Sequence, residues 1–130
     1  MEMKRILAVD DMPPILSTLR IFLRGEFHLH PVNSATEAAQ LLEKGDLEFD
    51  LILLDVDMPV MSGFELLKKI KSNPKLQAVP VVMLTGRVDS NSVLEAISSG
   101  AADYIVKPFT EDILKKKIRA VLKQAARSTG

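Results

Sequence analysis

The sequence predicts an α/β protein, a parallel sheet covered by helices on both faces, and three observations point to it. Short apolar runs alternate with amphipathic stretches five times, the βαβα pattern of a parallel sheet. Runs such as Leu51-Ile52-Leu53-Leu54 are continuous rather than alternating, which marks strands buried on both sides. The stretches between them open on helix-start residues.

Strands are expected at 5–9, 27–32, 51–54, 81–84 and 104–106. Pro13 and Pro14 suit the first turn of helix one, where a missing N–H costs nothing, and Ile15, Leu19, Phe22 and Leu23 form its apolar side. Ser34 with Glu37, and Ser62 with Glu65, match the capping box that starts helices two and three. Helix four has two possible starts, Asp89, or Ser92 with Glu95. Thr110 is placed to cap helix five, with Glu111 and Asp112 in its first turn and an apolar stripe of Ile113, Leu114, Ile118, Val121 and Leu122. Gly45 and Gly100 are expected C-caps, and Asn73-Pro74 ends helix three.

With 130 residues, 47% of them apolar, the chain has the size of one domain with a core of its own. It shows no repeat, low-complexity tract or linker, so a single domain is expected over 1–130, with its core at about 4–124. Seventeen basic and seventeen acidic residues cancel, so nothing global points to nucleic acid or an acidic membrane surface. The absence of cysteine excludes disulfides, thiolate metal sites and cysteine nucleophiles. No apolar run approaches the roughly 20 residues of a membrane span, and the start lacks a signal-peptide pattern, so the cytoplasm is the expected location.

Charged residues then gather at one edge of the expected sheet. Asp10 and Asp11 follow the first strand, Asp55 and Asp57 the third, and Lys107 the fifth. Ligands of open α/β sheets bind at the carboxyl ends of the strands. Carboxylates forced together repel unless a cation joins them. The cluster therefore points to a hard divalent metal and a phosphoryl group.

Four segments in order resemble a two-component response-regulator receiver domain. They are Asp10-Asp11, the stretch Asp50-Leu51-Ile52-Leu53-Leu54-Asp55-Val56-Asp57-Met58-Pro59-Val60-Met61-Ser62-Gly63, Thr85-Gly86, and Gly100 through Lys107-Pro108-Phe109. The resemblance implies a flavodoxin-like doubly wound (βα)5 fold, a five-stranded parallel sheet in the order 2-1-3-4-5. Strands one and three then meet at the topological switch point, which brings Asp10, Asp11 and Asp55 to one crevice.

The resemblance also implies roles. Asp55 accepts a phosphoryl group as nucleophile, from a histidine kinase or phosphotransfer protein. Asp11 binds Mg²⁺ (or Mn²⁺) directly, Asp10 through water, with Asp55 and the backbone carbonyl of Asp57 completing the protein ligands. Lys107 pairs with the phosphoryl oxygens, and the Lys107–Pro108 bond is cis. Thr85 donates its hydroxyl to the phosphoryl group, and Tyr104 is the aromatic switch that turns inward as Thr85 moves. Output passes to a downstream protein through helix four, strand five and helix five, from a monomer or a phosphorylation-driven dimer. Two positions depart from many relatives. Asp57 adds an acidic side chain beside the incoming phosphoryl group, and Gly86 stands where an alanine is common.

Two other readings use the same residues. Asp55-Val56-Asp57 resembles the D-x-D pair of haloacid-dehalogenase-type phosphatases, but motif order, chain length and Pro59 count against a hydrolase. An interaction-only receiver is the other, although every acceptor residue is present. A flavin-binding flavodoxin is poorer, since Asp10-Asp11 would repel a flavin phosphate. His28 and His30 share one face of strand two without a third ligand and read as a solvated edge pair. From Glu111 to Arg127, six positive and two negative charges leave helix five at +4, read as a solvated basic face.

Overall fold

The computed structural model describes residues 3–86 and 90–129. The chain runs β1 (Arg5–Val9), α1 (Pro13–Leu23), β2 (His28–Val32), α2 (Ala35–Lys44), β3 (Leu51–Asp55), α3 (Gly63–Ser72), β4 (Val81–Thr85), α4 (Ser90–Ser98), β5 (Asp103–Val106) and α5 (Glu111–Thr129). All pairings are parallel and the sheet order is β2-β1-β3-β4-β5, the order expected.

The continuous apolar runs supply two cores at once because alternate side chains leave opposite faces of a strand. Leu7, Val9, Ile52, Leu54, Val81 and Met83 face α2, α3 and α4. Ile6, Ala8, Leu51, Leu53, Val82 and Leu84 face α1 and α5. Every residue of β3 and β4 is buried, as strands covered on both sides must be.

Local chemistry sets the helix ends. The Oγ of Ser34 accepts the N–H of Glu37, and the Oγ of Ser62 that of Glu65. The Oγ1 of Thr110 does the same for Ile113. Gly45 ends α2 in the left-handed region, at φ 72°. On α4, Ser90 is the first helical residue described; a start at Asp89 lies outside the described residues. In α5, Leu114, Ile118 and Val121 are buried, whereas Ile113 faces solvent, one step off the stripe. Chain reversals at the other end of the sheet rest on Lys71, whose Nζ donates to the carbonyls of Gln77 and Val79 at 3.1 and 3.0 Å.

Candidate functional site

The parallel sheet brings the ends of β1, β3, β4 and β5 to one edge. Asp10 directly follows β1, its N–H bonded to Val32 O, and Asp55 is the last residue of β3. Thr85 ends β4, and its carbonyl accepts the Lys107 N–H at 2.7 Å, which fixes where the Lys107 side chain begins. The Lys107–Pro108 peptide is cis.

Three carboxylates meet here. Asp10, Asp11 and Asp55 each offer an oxygen, and these atoms lie within 4.8 Å of one another. Asp10 is fully buried and Asp55 nearly so. One lysine holds two of them: Lys107 Nζ lies 2.8 Å from Asp10 Oδ2 and 2.9 Å from Asp55 Oδ1. Asp10 Oδ1 accepts the Met12 N–H, while the buried Oδ2 has the Lys107 ammonium as its partner. An all-oxygen donor set of three crowded carboxylates fits a hard divalent ion such as Mg²⁺.

Electrostatics agree with the crowding. Asp55 is pushed up to about 6, chiefly by burial and further by the charges of Asp10 and Asp11, against the pull of Lys107. Burial draws Lys107 down, but its contacts with Asp10 and Asp55 outweigh that and leave it raised. Asp55 is thus a carboxylate whose charge is held at a penalty, which a cation relieves.

Most of the residues named from sequence come together. Asp10, Asp11, Asp55 and Lys107 form the cluster, and Thr85 is buried at the end of the neighbouring strand. Asp57 is exposed in the loop after β3, outside the carboxylate group. Tyr104 is half-buried on β5, opposite Met83 of β4. A Cβ at Gly86 would meet nothing within 4 Å, so packing does not require glycine there. His28 and His30 lie on the β2 edge, His30 with its ring 5.8 Å from that of Phe49.

Two contributors were not legible as such. A Cβ on Gly63 would collide with the backbone carbonyl oxygen of Asp55, so α3 can start against the site only with glycine at its first position. The signal was a glycine directly behind a capping serine. Lys117 was read as part of a solvated basic face. Its Nζ donates to Tyr104 O at 2.8 Å, pairs with Asp103 at 3.2 Å and lies 4.8 Å from the Tyr104 ring centroid. Arg119 likewise grips Glu26 through two bonds of 2.7 and 2.6 Å.

A doubly wound parallel sheet with three carboxylates at its switch point, two of them bridged by a lysine, is the architecture of a receiver-type signalling module. The chain belongs to the response regulator receiver domain family, whose pattern matches residues 6–119. It is 32% identical over 122 residues to the chemotaxis protein CheY of Pseudomonas aeruginosa, covering 92% of this chain and 97% of that protein. It is 39% identical over 112 residues to the two-component response regulator ARR12 of Arabidopsis thaliana, covering 85% of this chain but 18% of the relative. The chain therefore spans about a fifth of such plant regulators and nearly all of the chemotaxis protein. Among solved structures, CheY4 of Vibrio cholerae superposes with a TM-score of 0.85 at 31% identity, over 92% of this chain and 99% of that one. A CheY-like receiver protein of Methanospirillum hungatei gives 0.86 at 30% identity, over 98% and 99%. No helix among the described residues is long and apolar enough to cross a membrane.

Proposed function

We propose that the chain, read as one receiver domain over 1–130, is a phosphorylation-controlled switch of a two-component system. The observation that carries this reading is the Lys107 bridge between Asp10 and Asp55 inside a trio of converging carboxylates. The donor is a histidine kinase or phosphotransfer protein. An Asp55 carboxylate oxygen attacks the phosphorus of a phosphohistidine. A P–O bond forms, the P–N bond breaks, and the imidazole leaves with the electron pair and takes a proton.

Asp10 and Asp11, with Asp55 and the Asp57 carbonyl, would hold Mg²⁺ (or Mn²⁺), which neutralises charge on the phosphoryl oxygens. Lys107 stays near the former Asp55 contact and pairs with a phosphoryl oxygen. The Thr85 hydroxyl donates to another. Tyr104 turns as Thr85 moves, and the α4–β5–α5 face changes for a downstream protein. Leu94 and Ile97 of α4 and Ile113 of α5 are exposed apolar side chains. The phosphoryl group stays on the protein, so the reading is a switch in the cytoplasm rather than a turnover enzyme.

The test is intact mass after incubation with a small acyl phosphate, with and without Mg²⁺, beside Asp55→Asn. A Mg²⁺-dependent phosphoryl adduct, absent from the variant, is expected. A protein that binds Mg²⁺ yet takes up no phosphoryl group would overturn the reading.

A further inference from the structure

We infer that Lys117 is a positioning residue, a cationic latch that sets how readily Tyr104 turns. The role rests on the switch reading above, but its geometry is independent of the phosphoacceptor. Tyr104 stands on β5, a sheet edge, where backbone groups have no neighbouring strand. Side chains take both of its main-chain groups. Asp103 Oδ1 accepts the Tyr104 N–H at 2.7 Å, and Lys117 Nζ donates to the Tyr104 carbonyl at 2.8 Å.

The same ammonium pairs with Asp103 at 3.2 Å and lies 4.8 Å from the Tyr104 ring centroid, within cation–π range. One charge thus ties α5 to the backbone of the residue, to its neighbour and to its ring. Ile105 packs on the α5 side of the sheet and Tyr104 on the other, so Lys117 must reach round the β5 edge to make these contacts. A lysine that only solvated α5 would have no reason to converge on one aromatic residue.

Lys107 is bonded directly to the Asp55 carboxylate, a contact that a phosphoryl group on Asp55 would replace. The latched ring therefore belongs to that arrangement. A phosphoryl group that turns the ring must first lift it from the ammonium. Losing the latch lowers that barrier to switching and favours the turned population. One partly exposed cation–π contact corresponds to about a two- to fivefold population change.

The chain has one tyrosine and no tryptophan, so its tyrosine signal reports on Tyr104 alone. The experiment compares wild type, Lys117→Met, which keeps the stem and loses the charge, and Lys117→Arg, which keeps a cation. Two quantities are read: the ring NMR resonances of the metal-free protein, and the affinity for beryllofluoride, a phosphoryl mimic, with Mg²⁺. Circular dichroism confirms that each variant is folded. Lys117→Met is expected to move the ring resonances and to bind beryllofluoride about two- to fivefold tighter, with Lys117→Arg close to wild type. Unchanged ring resonances in Lys117→Met, or equal changes in both variants, overturn the latch. A wild-type protein blind to beryllofluoride removes the phosphoacceptor reading instead, and the ring resonances then decide the latch alone.

Discussion

Lys107 and Lys71 are both half-buried lysines, yet they stand at opposite ends of the sheet and are held by opposite means. Lys107 sits at the carboxyl ends of the strands between two carboxylates, at 2.8 and 2.9 Å. Lys71 reaches the entry to β4, where its ammonium meets two neutral backbone carbonyls. Burial lowers Lys71, and no anion among the described residues offsets it. Burial also works against Lys107, but the acids outweigh it and raise it. The difference separates architecture from chemistry. One end closes a loop with dipoles and is at rest. The other gathers more negative than positive charge, and Asp55 bears the excess. A site that carries unrelieved repulsion responds strongly to an arriving cation or anion; a site satisfied by carbonyls does not.

Removing Lys107 should have the largest effect. Lys107→Met leaves Asp10 and Asp55 buried without their cation, which costs about 4 kcal/mol at neutral pH without metal. Urea unfolding should show that loss shrinking toward acid pH, where the carboxylates take up protons. Phosphoryl adduct formation should fall by about a hundredfold, the usual scale for losing one preorganised charge partner. A Lys107→Met protein as stable as wild type at neutral pH would remove the distinction between the two ends.

Asp55→Asn should act in the opposite direction. The folded value near 6 lies above the ordinary 3.8, so between them the folded protein binds more protons than the unfolded one. Stability then falls as pH rises through that window, and above it Asp55 opposes folding by up to about 3 kcal/mol. Asparagine lifts that penalty at neutral pH in metal-free buffer and does nothing below the window. Urea midpoints of wild type and variant across acid to neutral pH measure it. A variant less stable than wild type at neutral pH would mean that the Lys107 bond outweighs the crowding.

The strands and the charged residues at their ends were legible because each rests on a local pattern, whereas the strand order came from the resemblance to the receiver family. Continuous apolar runs end in charge, and parallel pairing carries the ends to one edge. Asp55 and Lys107, 52 residues apart, were joined by topology alone. The capping serines were legible for the same local reason. Lys117 was not, because a basic helix face reads alike whether its lysines meet water or an aromatic ring around a sheet edge. Gly63 was not, because the collision it avoids is with a carbonyl eight positions back that only the fold brings close. Ile113 failed for a subtler reason: a helical stripe has soft borders, and one position beyond the buried row faces solvent.

Lys71→Met should have the smallest effect and sharpens the contrast best. It removes two charge-assisted bonds to the carbonyls of Gln77 and Val79, but it also spares the burial of an ammonium. The two nearly offset, and the net loss should be about 1 kcal/mol. The packing of the stem survives: a Cβ on Gly100 would meet Lys71 Cγ at 3.1 Å, and methionine keeps that methylene. The pH dependence is the signature. The folded value lies below the ordinary 10.5, so in the alkaline range beneath it the unfolded chain binds more protons. Wild-type stability therefore gains a rising component there as pH increases, and Lys71→Met lacks it. Urea midpoints of the two proteins should therefore draw further apart toward that range. A gap that narrows as pH rises would mean that Lys71, like Lys107, is held by an anion. Phosphoryl uptake by Lys71→Met should match wild type, because its ammonium serves the loop end of the sheet and none of the carboxylates.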